Sequence, residues 1–343
     1  MFQGALWVGG IVSKDTLTSI GTDGWVGIRE LFPDDGTKGG IIRRSARNTS
    51  PFYSPDAVSD LDLLAVYYDT LKNPQLVTNP DPETGEPYKP MGLKIEQRSY
   101  SWSAEWGQDW VLLDYGITNL GNEPIKKAHI GFFFDPDIGN TSTGQATQTD
   151  DYCAFKLITP LGPPLGEFVE RLERGICHET LNVAYAFDND GDPESGDDFE
   201  LSTKNPTGAL GVRFLRAGQP LGTTFTFPAR TSFNWWIPDE FGFFDWGPQN
   251  IPGRKNIFGG RGHPVGDAMR YHYLSNQEID YDQIASAFSD PGRVDSFFAG
   301  FWMPPLQPSA YALDVADGVD CRFLLYPTGE STGLWEFFKG TVF

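Results

Sequence analysis

Two acidic clusters follow directly on aromatic runs: Asp135 and Asp137 after "GFFF", and Asp188, Asp190 and Asp192 after "VAYAF". Calcium takes about six to eight oxygens from carboxylates, carbonyls and water, and loops with Asp or Asn at alternate positions aim several of them at one point. The spacing i, i+2, i+4 in "DNDGDPESGDD" is that of an EF-hand loop. Position six, however, is Pro193 rather than Gly, and position twelve is Phe199 where a bidentate Glu is required. No helix pattern flanks the loop, so an EF-hand is excluded. A site assembled from strand ends is the better expectation. Asp135 and Asp137 end one strand, Asp150 and Asp151 precede "YCAF", and Asp188 and Asp190 end "NVAYAF". Acidic ends that converge repel one another unless a cation lies between them. The sequence thus nominates Asp135, Asp137, Asp151, Asp188 and Asp190 as calcium ligands. The competing reading is a set of solvated turns, because Asp, Asn and Gly are the common turn residues.

Other chemistry is poorly supported. "GESTG" at 329–333 matches the nucleophile pattern G-x-S-x-G, but the acid and histidine of that fold must follow the serine, and no histidine lies beyond His272. The four histidines, His129, His178, His263 and His272, form no H-x-H or H-x-x-x-H pair. His129 alternates with apolar neighbours and reads as structural. "GGRGHPVG" lacks the spacing of a dinucleotide loop. A glycosidase needs two carboxylates at a set separation, and 46 acidic residues nominate no particular pair. "FNWWIPDEFGFFDWG" concentrates aromatics, and Trp235, Trp236 and Trp246 are the candidates for stacking on sugar rings. The alternative is that they fill the core, as aromatics usually do.

A chain of 343 residues with 39% apolar and 14% aromatic residues can fill one large or two ordinary domains. Its net charge of −20 argues against nucleic acid or anionic lipid, whose phosphates require Lys and Arg clusters, and favours cations. Abundant Gly (39) and Pro (26), with modest Lys, point to export, hence to a secreted or cell-surface location. Cys153, Cys177 and Cys321 are too few for a disulfide framework and lack zinc-site spacing; Cys153–Cys177 as one bridge and three buried thiols are equally open. No segment approaches the ~20 apolar residues that span a bilayer. "GALWVGGIV" already looks like a strand, and no basic leader precedes it, which suggests a chain cut from a longer precursor.

The elements that would position these residues are mostly strands. Period-two alternation runs through "GLKIEQRSYSWS", and "DWVLLDYGITNLGNEPIKKAHIGFFFDPD" reads as an antiparallel hairpin of Trp110–Thr118 and Ile125–Phe134 joined by "NLGNEP". Further strands are expected at "GALWVGGIV", "TLTSIG", "YCAFKLI", "NVAYAF", "GALGVRFLRA", "TTFTF", "TSFNWWI" and "CRFLLY". A helix is expected in "SPDAVSDLDLLAVYYDT", with Ser54 and Pro55 at its start and Leu61, Leu64, Ala65 and Tyr68 at helical spacing; a second, shorter one falls at Tyr281–Ser289. The fold class is all-β, antiparallel and sandwich-dominated, with long loops and one or two short helices. The expected organisation is an N-terminal β segment over 1–71, a Pro-rich loop over 72–90, a main sandwich over 91–326 and an atypical tail over 327–343; 238–267 reads as irregular.

The set "GLKIEQRSYSWS", "DWVLLDYGITNLGNEPIKKAHIGFFFDPDIG", "DDYCAF", "NVAYAFDNDGD", "GALGVRFLRA" and "MRYHYLSNQEIDYDQI" resembles a group of uncharacterised exported bacterial proteins that often carry C-terminal secretion-sorting domains. "ITNLGNEPI" is similar to the strand-turn-strand of bacterial immunoglobulin-like adhesion modules. The resemblance implies an extracellular β-rich protein and brings no assigned activity. The expected role is therefore a non-enzymatic structural or ligand-binding surface protein stabilised by calcium, with a glycan or another surface protein as partner. The alternative is a carbohydrate-active protein, either a glycan-binding module or a glycoside hydrolase.

Overall fold

The computed structural model describes residues 3–24, 27–33, 40–71, 73, 76–136, 151–159, 179–188, 209–215, 231–236, 263–278 and 280. The chain divides into two compact units. One comprises Gly4–Phe133 with Val265–Leu274; the other comprises Met1–Gln3, Phe134–Pro264 and Ser275–Phe343. The Pro-rich stretch 72–90 falls within the first unit. Its Asp81 pairs with Arg270 and its Tyr88 bonds Asp69 O, as detailed below. The tail 327–343, the expected helix at 281–289 and the expected strands "TTFTF" and "CRFLLY" lie outside the described residues.

The fold is all-β with antiparallel pairing, as the alternating sequence requires. The strands of the first unit, apart from the end residues Gln3, Phe134 and Asp135, are β1 (Gln3–Val12), β2 (Asp15–Ile20), β3 (Ile42–Arg44), β4 (Leu61–Tyr68), β5 (Leu93–Ser101), β6 (Val111–Asn119) and β7 (Ile125–Asp135). They form two sheets, β2-β1-β7 and β3-β4-β5-β6. Leu6, Val8 and Leu17 of the first sheet bury themselves against Leu93 and Ile95 of the second, with Met91 beside them. Ile95 is 0% and Leu93 1% exposed, so this cluster is the core of the sandwich. Side chains at alternate positions of β5 face it, in keeping with the two-residue period of a strand.

Two sequence expectations fail here, both because tertiary pairing overrides local pattern. The segment read as a helix forms β4, which pairs with β5 along its whole length and with β3 over residues 62–64. Ser54 and Pro55 open a run of turns instead: Ala57 N–H bonds Ser54 O at 3.1 Å, and Asp56 N–H bonds the Ser54 hydroxyl at 3.3 Å. "LDLLAVYY" is rich in strand formers, and a strand paired on both sides satisfies its backbone as well as a helix would. The second failure is the expected hairpin. β6 pairs with β5 and β7 joins the other sheet, so "NLGNEP" carries the chain across the sandwich. Tyr115 and Ile117 from β6, and Ile125 and Phe132 from β7, pack on the same core cluster from opposite sheets. The Tyr115 and Phe132 rings meet at 5.2 Å. The crossover is tight where Leu120 N–H bonds Gly92 O at 2.7 Å, and Gly92, at φ +84°, leaves room for Gly121 where a Cβ would come within 3.0 Å of its nitrogen.

The first unit also contains the one helix among the described residues, α1 (Gly266–Ser275), within a region expected to be irregular at its start. Its buried positions, Gly266, Arg270 and Tyr273, fall at helical spacing, but the stripe is carried by a glycine and an arginine. Apolar periodicity, the usual sequence signal, is therefore missing. In the second unit β8 (Asp151–Thr159), β9 (Glu179–Asp188) and β10 (Ala209–Arg213) form an antiparallel sheet in the order β10-β9-β8. "TSFNWWI" contributes a bridge at Phe233, whose N–H and C=O bond residues 278 and 280 at 2.9 Å each, rather than a regular strand.

Candidate functional site

The acidic strand ends are placed in part. Asp135 is the last residue of β7. Asp151 opens β8, Asp188 closes β9, and the register of the pair sets these two residues directly opposite one another. Directly opposed residues of an antiparallel pair have Cβ atoms roughly 4.5–5.5 Å apart, and two like charges there are destabilising. Asp137, Asp190 and Trp246 lie outside the described residues. Among the described residues no group of three or more His, Cys, Asp or Glu side chains is arranged to hold a metal ion. Trp235 is 2% exposed, and its backbone N–H donates to Asp280 Oδ2 at 3.2 Å; Trp236 is half-buried. A ring as covered as that of Trp235 offers no open face to a sugar, so its place is the core alternative.

Sequence reasoning missed a second set of carboxylates, because in the sequence they are scattered over two hundred positions. Asp69, 0% exposed, follows β4. Its Oδ2 accepts from the N–H groups of Met91 and Gly92 at 2.7 and 3.1 Å and from the Ser19 hydroxyl at 2.9 Å, while Oδ1 accepts from Leu93 N–H at 2.6 Å. Tyr88 donates its hydroxyl to Asp69 O at 2.9 Å. One side chain thus ties β2, the end of the Pro-rich stretch and the start of β5 together. Burial pushes the Asp69 carboxyl above its usual range against these donors, and burial beside Asp69 pushes the Tyr88 phenol well up.

Around α1 a further group gathers. Asp267, in the first helical turn, accepts from Thr18 N–H at 3.2 Å and Thr18 Oγ1 at 2.6 Å. Arg270, 1% exposed, pairs with Asp81 at 3.1 Å. Asp81 also accepts from Glu83 and Thr84 N–H at 2.9 and 3.0 Å. Burial would raise Asp81, but these N–H groups and Arg270 hold it below the usual range. Glu30, 4% exposed, accepts from Ile20 N–H at 2.9 Å. Burial pushes its carboxyl up to about 8; Arg270 opposes the rise, and Asp267 and Asp81 add to it. Burial, with one guanidinium among three acids, favours the protonated form of Glu30 at neutral pH. Every one of these acids is occupied in joining a strand, a loop or α1, which is the work of a fastener rather than of a general acid open to a substrate.

The exposed aromatics lie elsewhere. Between β5 and β6, Trp102, Trp106 and Trp110 stand four residues apart in "SWSAEWGQDW". Their ring centroids are 4.9 Å apart for Trp102–Trp110, 5.6 Å for Trp102–Trp106 and 6.1 Å for Trp106–Trp110. Trp106 is 65% and Trp110 44% exposed. The W-x-x-x-W-x-x-x-W spacing was the signal available in the sequence, masked by the denser aromatic run at 233–246. The comparisons with known proteins add no relative: no family model, no curated protein and no solved structure matches this chain.

Proposed function

We propose that this chain is an exported or cell-surface β-sandwich protein with a structural or ligand-binding rather than catalytic role, stabilised by calcium at its acidic strand ends. The observation that carries the calcium reading is the register of β8 and β9, which sets Asp151 opposite Asp188. Two ionised carboxylates at opposed positions repel, and a hard divalent cation with oxygen ligands relieves that repulsion while using both. Asp135, Asp137 and Asp190 are the further ligands the sequence offers. The non-catalytic reading draws on the first unit, where the perturbed acids serve as fasteners. Export draws on composition, and a partner such as a glycan or another surface protein suits an acidic chain that repels nucleic acid.

Thermal melts in millimolar calcium and in excess chelator test the metal. A cation that binds only the folded state contributes about 3 kcal/mol when present at roughly a hundred times its dissociation constant. The melting temperature should rise with calcium and fall on chelation. An unchanged melting curve, together with no heat of calcium binding by titration calorimetry, removes calcium from the proposal.

A further inference from the structure

We propose that Trp102, Trp106 and Trp110 form a binding platform for a soluble, neutral oligosaccharide. This site stands on the first unit and on observations independent of the calcium reading, so either can fail without the other.

The platform is built rather than incidental. Trp106 keeps 65% and Trp110 44% of its surface open, while Trp7 and Trp235 of the same chain are 3% and 2% exposed. Large apolar rings left open to water forgo the burial that usually stabilises a fold. The loop that carries them is nonetheless restrained at several points. Ser103 donates from both its N–H and its hydroxyl to Asp60 Oδ2 at 2.9 Å each, which fixes the residue after Trp102 to the turn before β4. Arg47 also bonds Asp60, at 2.8 Å. Gly107 N–H bonds Ala104 O at 2.8 Å, and a Cβ on Gly107 would come within 2.9 Å of the Trp102 Cβ, so only glycine lets the turn lie this close to the ring. The Trp110 indole N–H donates to Trp106 O at 2.9 Å. That bond uses the polar edge of the ring internally and leaves carbon surface outward. Preorganised aromatic surface lowers the ordering cost of binding.

The chemistry of the occupant follows from the ring faces and the charge. The electron-rich face of an indole attracts C–H groups that carry partial positive charge, and the axial C–H faces of pyranose rings present such groups in flat patches. Nucleobases also stack on indoles, but such sites need a basic groove for the phosphates. The loop 102–110 holds Glu105 and Asp109 and no Lys or Arg, in a chain of net charge −20. Anionic ligands are thereby repelled, and exposed Glu105, Gln108 and Asp109 can accept hydrogen bonds from sugar hydroxyls. The three rings are inclined to one another by 42°, 45° and 47°. A faceted surface of this kind suits successive rings of a twisted, free chain, whereas a flat crystalline polysaccharide would require coplanar rings.

The test uses the full chain against a panel of neutral oligosaccharides of three to six units, read by array and by tryptophan fluorescence. Insoluble crystalline polysaccharide and acidic oligosaccharides serve as contrasting arms. At least one neutral soluble glycan should bind and shift the emission. Trp106→Ala should weaken it roughly ten- to a hundred-fold, the scale of one lost stacking contact, with an unchanged melting temperature. Trp106→Phe, which keeps a smaller ring, should weaken it less and provides a second reading should the alanine variant fold poorly. Binding of no neutral glycan overturns the proposal, as does preference for the crystalline or acidic arm. Concentration-dependent self-association abolished by Trp106→Ala, without glycan binding, would assign the surface to a second copy of the chain instead.

Discussion

At Asp69 a buried carboxylate receives three backbone N–H groups and a hydroxyl, all from its own chain. At the end of the β8–β9 ladder an acidic residue stands opposite another acidic residue. Both places put negative charge beside an apolar strand, and the difference lies in where the compensation originates. Asp69 is satisfied as soon as the first unit folds, and it closes the junction of two sheets. The register sets Asp151 and Asp188 opposite one another, and like charges at opposed positions are destabilising. A carboxylate supplied with donors by the fold is a structural part, whereas opposed carboxylates invite a ligand. The cluster at α1 stands between these cases, with one guanidinium among three acids and a proton on Glu30 making up the balance.

The largest expected effect breaks the first side of that contrast. Asp69→Ala leaves three N–H groups at the start of β5 without their acceptor, and should cost roughly 3–5 kcal/mol of stability. Urea unfolding of wild type and variant in the same buffer measures it. A loss under about 1 kcal/mol would mean that Asp69 is no fastener.

Glu30 sharpens the intermediate case. Its carboxyl is raised from 4.5 to about 8 in the folded chain, so the folded state binds the extra proton between those values. The stability linked to this group is fully present below about pH 4.5 and is lost as pH rises through about 8. The slope has a ceiling of about 1.4 kcal/mol per pH unit. Glu30→Gln, which keeps an acceptor for Ile20 N–H, should remove this fall, so that wild type and variant diverge steadily across that window. Parallel profiles from guanidinium unfolding at a series of pH values would show that Glu30 is ionised throughout.

The smallest effect is also the most diagnostic, because its sign reverses. Asp151→Asn with Asp188→Asn removes an opposed pair of like charges, and in chelator should stabilise the chain by up to about 1 kcal/mol. In saturating calcium the same double variant should be less stable than wild type and bind less calcium. The same sign in both buffers would mark the two residues as ordinary turn acids.

Much of the fold was legible because strands announce themselves locally. β5, β8 and β9 fall where "GLKIEQRSYSWS", "YCAFKLI" and "NVAYAF" read as strands. Which strands pair is a non-local matter. "NLGNEP" has the composition of a hairpin turn and yet joins two sheets, from which Ile117 and Phe132 pack on a shared core. β4 is ambiguous in the sequence because Leu61, Leu64, Ala65 and Tyr68 fit a helical period as well as "LDLLAVYY" fits a strand, and only pairing with β3 and β5 decides between them. Of the five nominated acids, the register sets Asp151 opposite Asp188, a pairing that the sequence did not specify.

By itself the sequence determined the class: alternating apolar positions in short segments, punctuated by Gly and Pro, can bury their apolar faces only as packed antiparallel sheets, and an acidic excess sets the partners the surface repels. The tertiary structure decided which polar groups meet. Thr18, Glu30, Asp81, Asp267 and Arg270 come from distant segments, the partners of the Thr18–Asp267 bond lying 249 residues apart. Burial and ionisation depend on neighbours in space, and no local spacing encodes them. The tryptophans show the same division. Sequence counts Trp106 and Trp235 as the same residue, while packing leaves one open to water and closes the other into the core.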